Sequence, residues 1–376
     1  MTNETPEPYL LTPGPLTTSR ETKQAMLRDW GSRDAAFLRL NREVRDRVAA
    51  IAGGGDELTC VPVQGSGTFA VEAMLATFLP RDGKLLLVVN GAYGHRMATI
   101  CEYLGRAHTL YETAEDTPPD PAVIDAMLSD DGDISHVAIV HCETTSGILN
   151  PVEAVAGVVA ARGRRLLVDA MSAFGALPLD MGQLACDAVA ASANKCLEGV
   201  PGMGFVVCRK SVLAAAKGNA HSLSLDLHGQ WAAMESTAQW RFTPPTHVIA
   251  AFHQALKEHT AEGGVAGRGA RYRRNCDILV AGMRRLGFRT LLPDDLQAPI
   301  IVTFHMPADP AFRFQAFYDA LAARGYVIYP GKLTVAESFR IGCIGRLDES
   351  VMRGVLEAIR DTLDEMGVRQ RGPMAA

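Results

Sequence analysis

The chain has 376 residues, of which 48% are hydrophobic and 21% are charged, the composition of an ordinary globular protein. Its net charge of −5 and the lack of any lysine- and arginine-rich run argue against a nucleic-acid-binding protein. The longest apolar runs are too short to cross a bilayer, and no basic stretch followed by an apolar core opens the chain, so we expect a cytoplasmic enzyme.

The spacing of the cysteines and histidines argues against a disulfide-bonded protein and against a metalloprotein. The eight cysteines form no CxxC pair and several lie in apolar runs, so we expect reduced core residues. The ten histidines form no HxxxH or HExxH cluster, and we therefore predict no metal site.

Short β-rich runs alternate with helical patterns in the first two thirds of the chain. The predicted strands are 59–64, 84–90, 107–112, 136–142, 164–170, 187–192 and 204–210, with helices such as 68–79 and 152–163 between them. Continuous apolar strands alternating with helices predict an α/β fold with a mostly parallel sheet covered on both faces. Ligands in such sheets bind beyond the C-terminal ends of the strands.

The pattern changes after residue 242. Two long helices are predicted at 246–262 and 267–286, followed by strand 299–306, helix 312–324, strands 326–330 and 338–344, and helix 348–366. We therefore predict a large domain over residues 20–245 and a smaller α+β domain over 246–376, which the N-terminal residues 1–19 join.

Lys195 lies in the stretch "SANKCLEGVPGMGF", after an apolar run and before a glycine-rich loop. Two explanations are open for it. In the first, the lysine reaches the surface or pairs with Glu198, and its position alone favours this explanation. In the second, its partly desolvated amine forms a Schiff base.

The stretch "QGSGTFAVEAM" follows the first predicted strand of the sheet. Gly65 and Gly67 allow a tight turn, and Ser66 and Thr68 place hydroxyls beside the free N–H groups of the following helix. This composition suits a phosphate site, although an ordinary capped turn has the same composition. It is neither a P-loop nor a GxGxxG fingerprint.

Three other strand ends carry polar or aromatic groups. Asp169 lies near the C-terminal end of the run "LLVDA", where it is either a turn residue or a functional carboxylate. The motif "HCETTSG" offers the hydroxyls of Thr144, Thr145 and Ser146, which are also common turn residues. Tyr93 in "NGAYGHRM" is either a packing residue at the rim or a stacking platform.

All these groups fall at one edge of the predicted sheet. Pyridoxal phosphate needs a lysine for a Schiff base, a carboxylate for its ring nitrogen and a helix-start site for its phosphate. No nicotinamide, metal or hydrolase mechanism uses the whole set. The sequence therefore predicts a pyridoxal 5′-phosphate enzyme in which Lys195 is the Schiff-base lysine.

Longer stretches extend this match along the chain. They include "LLTPGPLTTS", "QGSGTFAVEAML", "VDAMSAFG", "SANKC", "SLSLDL", "WRFTPPTH" and "FRIGCIG", between about residues 9 and 346. In these stretches the sequence resembles the class V, fold-type I pyridoxal-phosphate aminotransferases, and within them the 2-aminoethylphosphonate–pyruvate transaminase family. The resemblance implies transfer of an amino group from 2-aminoethylphosphonate to pyruvate in phosphonate degradation, by a homodimer with shared active sites.

The resemblance also implies roles for individual residues. Lys195 and Asp169 would be catalytic, with Asp169 pairing with the ring nitrogen. Arg340 in "SFRIG" would hold the anionic group of the substrate; a structural salt bridge is the alternative. The other residues would contact the cofactor. Its phosphate would be bound by Ser66, Gly67 and Thr68, in a pocket that is also lined by Ser192 and Asn194. Its ring would stack on Tyr93, its ring hydroxyl would face Thr144, and the phosphate in the neighbouring subunit would be reached by Thr243.

Other activities remain as alternatives. Another class V aminotransferase, acting between alanine and glyoxylate or between serine and pyruvate, would share the fold and the cofactor. A cysteine desulfurase is disfavoured because no mobile Gly/Ser-rich loop presents a cysteine. A non-catalytic pyridoxal-phosphate-binding protein would tolerate loss of Lys195 or Asp169, and both are present.

Overall fold

A computed structural model describes residues 7–333 and 336–373, which form a layered α/β protein. The strands, in chain order, are β1 (Tyr9–Leu10), β2 (Leu58–Gln64), β3 (Lys84–Val89), β4 (Ala107–Glu112), β5 (Ile134–Val140), β6 (Cys142–Glu143), β7 (Ile148–Leu149), β8 (Arg165–Asp169), β9 (Ala188–Ser192), β10 (Met203–Arg209), β11 (Ile301–His305), β12 (Tyr326–Val327), β13 (Tyr329–Pro330) and β14 (Ser338–Gly342). The α-helices are α1 (Arg20–Gln24), α2 (Ala35–Ile51), α3 (Gly67–Phe78), α4 (Ala92–Tyr103), α5 (Pro121–Asp130), α6 (Val152–Ala161), α7 (Lys210–Ala215), α8 (Leu227–Thr237), α9 (Thr246–Ala261), α10 (Gly264–Arg285), α11 (Phe314–Ala323) and α12 (Glu349–Glu365).

A seven-stranded sheet forms the centre of the larger part, in the order β2-β10-β9-β8-β5-β3-β4. Only β10 runs antiparallel to its neighbours β2 and β9, so the other strands end at one common edge. The proline in β2, Pro62, is tolerated because β2 is an edge strand. The predicted α/β fold with a mostly parallel sheet is confirmed.

Both faces of this sheet are buried, which explains why its strands are continuously apolar. In β3, Leu86 and Val88 pack into one apolar cluster, with α2, α5, α6 and α9. Their neighbours Leu85 and Leu87 pack into a second cluster on the other face, with α3 and α4. Alternate side chains of one strand thus enter opposite layers.

A smaller part is built on the antiparallel sheet β11-β14-β13, covered by α10, α11 and α12. Leu279 and Met283 of α10 belong to its core. By contrast, Ile249, Phe252 and Leu256 of α9 pack in the core of the large sheet. The division after residue 245 stays a prediction; the packing of α9 favours a boundary between α9 and α10.

Two elements differ from the sequence-based expectation. The predicted strand 326–330 is two strands, because β12 pairs in parallel with β1 while β13 pairs with β14. Helix α2 was not predicted, although Phe37, Leu40, Val44 and Val48 form its buried stripe at helical spacing.

Candidate active site

A cleft of about 400 Å³ opens at the common C-terminal edge of the parallel strands. Loops after β2, β3, β8 and β9 form its walls. Eight of the predicted site residues line it, namely Ser66, Gly67, Thr68, Tyr93, Asp169, Ser192, Asn194 and Lys195. The structure therefore brings most of the predicted cofactor site together in one place.

Lys195 projects from the turn that follows β9 and is half-buried. Burial lowers the pKa of its amine to about 8, against the opposing influence of Cys196 and Asp169. Its Nζ donates a hydrogen bond to the carbonyl of Pro13, which brings the N-terminal segment over the lysine. A larger fraction of this amine is neutral near neutral pH than for an ordinary lysine, as a nucleophile and base requires.

The alternative partner of this lysine, Glu198, is engaged elsewhere. Its carboxylate accepts hydrogen bonds from Arg271 Nη2 at 2.7 Å and from the Tyr272 hydroxyl at 2.6 Å. The proposed pairing of Lys195 with Glu198 is therefore wrong for this structure.

Asp169 is the last residue of β8, and only 4% of its surface is exposed. Burial raises the pKa of its carboxyl to about 6, which the Met171 N–H opposes. That N–H donates to Asp169 Oδ1 at 2.9 Å. A buried carboxylate of this kind is stabilised by a cation such as a protonated pyridine ring.

The start of α3 forms a cradle at the same edge. Gly65 adopts φ +125°, a conformation that favours glycine, and leads into Ser66, which makes no side-chain cap for the helix. A Cβ on Gly67 would lie 2.4 Å from the Met171 sulfur, so a larger residue here would require the Met171 side chain to move. The start of this helix lines the cleft, and the free N–H groups at a helix start suit an anion.

Two more groups at the cradle favour an anion. Arg96 on α4 donates to Thr68 Oγ1 at 3.1 Å, and its guanidinium lies 4.7 Å from the centre of the Tyr93 ring. The Ser192 hydroxyl is buried and has no hydrogen-bond partner within the described part of the chain. A phosphate would supply the missing acceptor for Ser192 and a counter-charge for Arg96.

The motif "HCETTSG" holds the start of α4 and thereby places Tyr93. Glu143 Oε2 accepts the Tyr93 N–H at 3.1 Å, and Thr145 Oγ1 accepts the Ala92 N–H at 2.9 Å. Glu143 Oε1 in turn accepts from the Thr145 hydroxyl at 2.6 Å. Because the N-cap residue of α4 is Gly91, which has no side chain to cap the helix, these two residues replace the cap. A Cβ on Gly91 would meet the Glu143 carboxyl carbon at 2.5 Å.

Arg340 on β14 reaches this region from the smaller part of the protein. It is buried, its Nη1 donates to the Thr144 carbonyl at 2.6 Å, and its Nε donates to the Pro330 carbonyl at 3.1 Å. Burial lowers the pKa of its guanidinium, and its charge in turn lowers the pKa of Lys195. It forms no ion pair with any described carboxylate, so the structural salt bridge considered from the sequence is absent from the described residues. Thr144 thus meets Arg340 through its backbone, and its predicted contact with the ring hydroxyl stays a prediction.

Thr243 lies outside the Lys195 cleft of its own chain. It is exposed and lines an adjoining cleft of about 470 Å³, which shares Gly65 with the first. Phe69 and Phe242, each 48% exposed, line this second cleft.

Several residues of the site were not predicted from the sequence. Arg96 lies one helical turn after Tyr93, a spacing that could have placed it on the same face. Gly14 lines the cleft, and a Cβ there would lie 2.8 Å from Lys195 Nζ. No local pattern connects Gly14 with a lysine so far along the chain.

The residues present fit pyridoxal phosphate. The cradle supplies anion donors, the Ser192 hydroxyl lacks an acceptor, Asp169 lacks a cation, and the Lys195 amine has a lowered pKa. Within residues 7–333 and 336–373, no three His, Cys, Asp or Glu side chains are placed to hold a metal ion. All eight cysteines are free and buried, as expected.

Solved structures share this architecture. Pyridoxamine-pyruvate aminotransferase from Mesorhizobium loti is 24% identical, with a TM-score of 0.88 over 98% of this chain and 95% of its own. Alanine--glyoxylate aminotransferase from Nostoc sp. is 22% identical, with the same TM-score of 0.88 over 96% of this chain and 97% of its own. The fold is that of the fold-type I aminotransferases.

The sequence comparison gives the family. Residues 18–334 match the profile of the family Aminotransferase class-V. The chain belongs to this class V aminotransferase family, and membership implies use of pyridoxal phosphate. A relative from Rhizobium meliloti (strain 1021), a 2-aminoethylphosphonate--pyruvate transaminase, is 58% identical over 98% of this chain and 97% of its own. One of the same name from Pseudomonas fluorescens (strain Pf0-1) is 55% identical over 97% of this chain and 99% of its own.

Proposed function

We propose that the protein transfers the amino group of 2-aminoethylphosphonate to pyruvate, forming phosphonoacetaldehyde and L-alanine. Relatives that are more than half identical over nearly the whole chain carry this activity in their names. The structural observation that carries the proposal is Arg340, a buried guanidinium whose charge acts on Lys195 and which forms no ion pair with a carboxylate in the described part of the chain. A cation left without an acid at this position is suited to the anionic end of a substrate.

Each residue of the cleft has a separate role in the proposed reaction. Bound pyridoxal phosphate supplies an electron sink for the electron pair left on the carbon that bears the amino group. Lys195 Nζ would take the proton from that carbon, hold it, and deliver a proton to C4′ of the cofactor. Asp169 would keep the ring nitrogen protonated, and the α3 cradle with Arg96 would hold the phosphate. Tyr93, placed by Glu143, stacks on the ring.

Amino-donor profiling tests the proposal. The purified protein, loaded with pyridoxal phosphate, is offered 2-aminoethylphosphonate, L-alanine and L-serine as donors with pyruvate or glyoxylate as acceptors. We expect the highest kcat/KM with 2-aminoethylphosphonate and pyruvate. Preference for L-serine or for the alanine–glyoxylate pair would favour another class V activity. A protein that binds the cofactor without turning over any donor would be non-catalytic.

We also propose a homodimer in which Thr243 of one subunit reaches the cofactor phosphate of the other. The exposed Phe69 and Phe242 beside Thr243 form an apolar rim, and the shared Gly65 connects it to the phosphate cradle. Mixing Lys195→Ala chains with chains inactivated at Thr243 should restore part of the activity, because a hybrid dimer contains one intact site. An active monomer in sedimentation would overturn this proposal.

A cytoplasmic location is part of the same proposal. All eight cysteines are free thiols, a state that reducing compartments maintain. Among the described helices, none is both long and apolar enough to span a bilayer. Fractionation of cells that express the full chain tests the location.

A further inference from the structure

A second cation, Lys332, lies at the mouth of the cleft and has no assigned role. It follows β13, whose end is held by a hydrogen bond from the Gly331 N–H to the Ser338 carbonyl at 3.0 Å. The Lys332 side chain is exposed, and its Nζ lies 4.9 Å from the centre of the Tyr93 ring. No described carboxylate forms an ion pair with it. Lys332 therefore presents an ammonium that has no direct ion-pair partner among the described residues, beside the ring that would stack on the cofactor.

The same short segment connects Lys332 to Arg340. The carbonyl of Pro330, two residues before Lys332, accepts the hydrogen bond from Arg340 Nε. Partial burial lowers the pKa of Lys332, and the charges of Arg96 and Arg340 lower it further. Glu143 opposes these shifts only in part, and an anion bound between the like charges would relieve the remaining repulsion.

The donors of Arg340 are already partly used. Of the five N–H groups of a guanidinium, Arg340 gives one to the Pro330 carbonyl and one to the Thr144 carbonyl, so three have no hydrogen-bond acceptor among the described residues. A carboxylate has two oxygens and one charge, and such a fork satisfies it. A phosphonate has three oxygens and, like a phosphate monoester, up to about two charges near neutral pH. Because a planar guanidinium fork pairs with two oxygens at a time, the third oxygen and the second charge of a phosphonate can take a further donor.

We propose that Lys332 is a specificity-determining residue, whose ammonium joins Arg340 in binding the phosphonate group and so favours aminophosphonates over their carboxylate counterparts. This inference rests on the proposed function. A lysine suits the task because its flexible stem lets a compact charge move onto the third oxygen as the substrate enters.

Two pairs of ligands isolate this effect. 2-Aminoethylphosphonate and β-alanine differ only in the anionic group, and so do ethylphosphonate and propanoate, which lack the amine and cannot react. The test compares the parent, Lys332→Met, Lys332→Arg and a control, Lys217→Met, an exposed lysine that follows α7. For each holoenzyme, kcat/KM is measured with the two donors, and affinity for the two unreactive ligands is measured by calorimetry.

In Lys332→Met we expect about ten- to a hundredfold loss of ethylphosphonate affinity and of kcat/KM for 2-aminoethylphosphonate. Propanoate and β-alanine should change by less than about threefold, because Arg340 alone serves a carboxylate. Lys332→Arg should keep most of the preference, and Lys217→Met all of it. The parent's affinity for ethylphosphonate should also fall with added salt more steeply than that of Lys332→Met.

Two failures are distinguishable. If the parent prefers the phosphonates and Lys332→Met keeps both preference ratios within about twofold, Lys332 has no role in specificity and the proposed function stands. If the parent shows no preference for the phosphonates, the proposed function fails and this inference fails with it. Equal losses for phosphonate and carboxylate ligands would show a general effect on the cleft and would also overturn the inference.

Discussion

Replacing Asp169 with asparagine tests whether the buried carboxylate at the end of β8 destabilises the cofactor-free protein and is stabilised by a bound cation. Burial raises its pKa from 3.8 to about 6, which at about 1.4 kcal/mol per pKa unit corresponds to roughly 3 kcal/mol. Because the folded protein holds this proton more tightly than the unfolded chain does, the stabilisation is fully present below about pH 4 and is lost as the pH rises through about 6. At pH 8, cofactor-free Asp169→Asn should therefore be more stable than the parent by up to about 3 kcal/mol.

Bound cofactor should offset most of this difference in stability. The carboxylate gains a protonated ring nitrogen as its partner, whereas asparagine offers no charge, so pyridoxal phosphate should bind the variant about ten- to a hundredfold more weakly. The amide oxygen can still accept the Met171 N–H, so the local turn is kept. Urea unfolding at pH 4, 6 and 8, with and without cofactor, and a cofactor titration by fluorescence measure both effects. Asp56→Asn, at an exposed aspartate, is the control. Identical pH profiles and cofactor affinities for Asp169→Asn and the parent would refute the reasoning.

Three further substitutions probe the other parts of the site. Lys195→Ala should abolish turnover while the cradle still binds cofactor, as absorbance and activity assays would report; activity within about tenfold of the parent, or about 1.4 kcal/mol in barrier, would remove Lys195 from the mechanism. Glu143→Gln places an amide donor against backbone N–H groups and should lower the free energy of unfolding, measured with urea, by about 1–3 kcal/mol. Glu102→Gln, on the exposed side of α4, is the control. Equal stability of the two variants would contradict the capping role of Glu143. Arg340→Ala should lower kcat/KM for both 2-aminoethylphosphonate and pyruvate by about tenfold or more, and Arg340→Lys by less; unchanged efficiency would assign the arginine a structural role only.

Local sequence patterns were sufficient for the sheet and for the edge that carries the chemistry. A strand buried on both faces is continuously apolar whatever its partners are, so β3, β5 and β8 were predictable from their own residues. Parallel strands end at one edge of a sheet, and this rule alone predicted that Asp169 and Lys195 lie close together, as they do in one cleft. These conclusions needed no knowledge of how distant segments pack.

Tertiary structure decided what each polar group contacts. Thr145 has the same local signature as a cofactor-binding hydroxyl, yet it caps α4, because its neighbour Glu143 faces that helix across the fold. Arg340 lies on a separate small sheet and Lys332 follows a strand of that sheet, and no periodicity in the sequence indicates how one sheet packs against another. Periodic patterns report burial within an element, whereas hydrogen-bond partners depend on contacts between elements far apart in the chain, which only the folded structure contains.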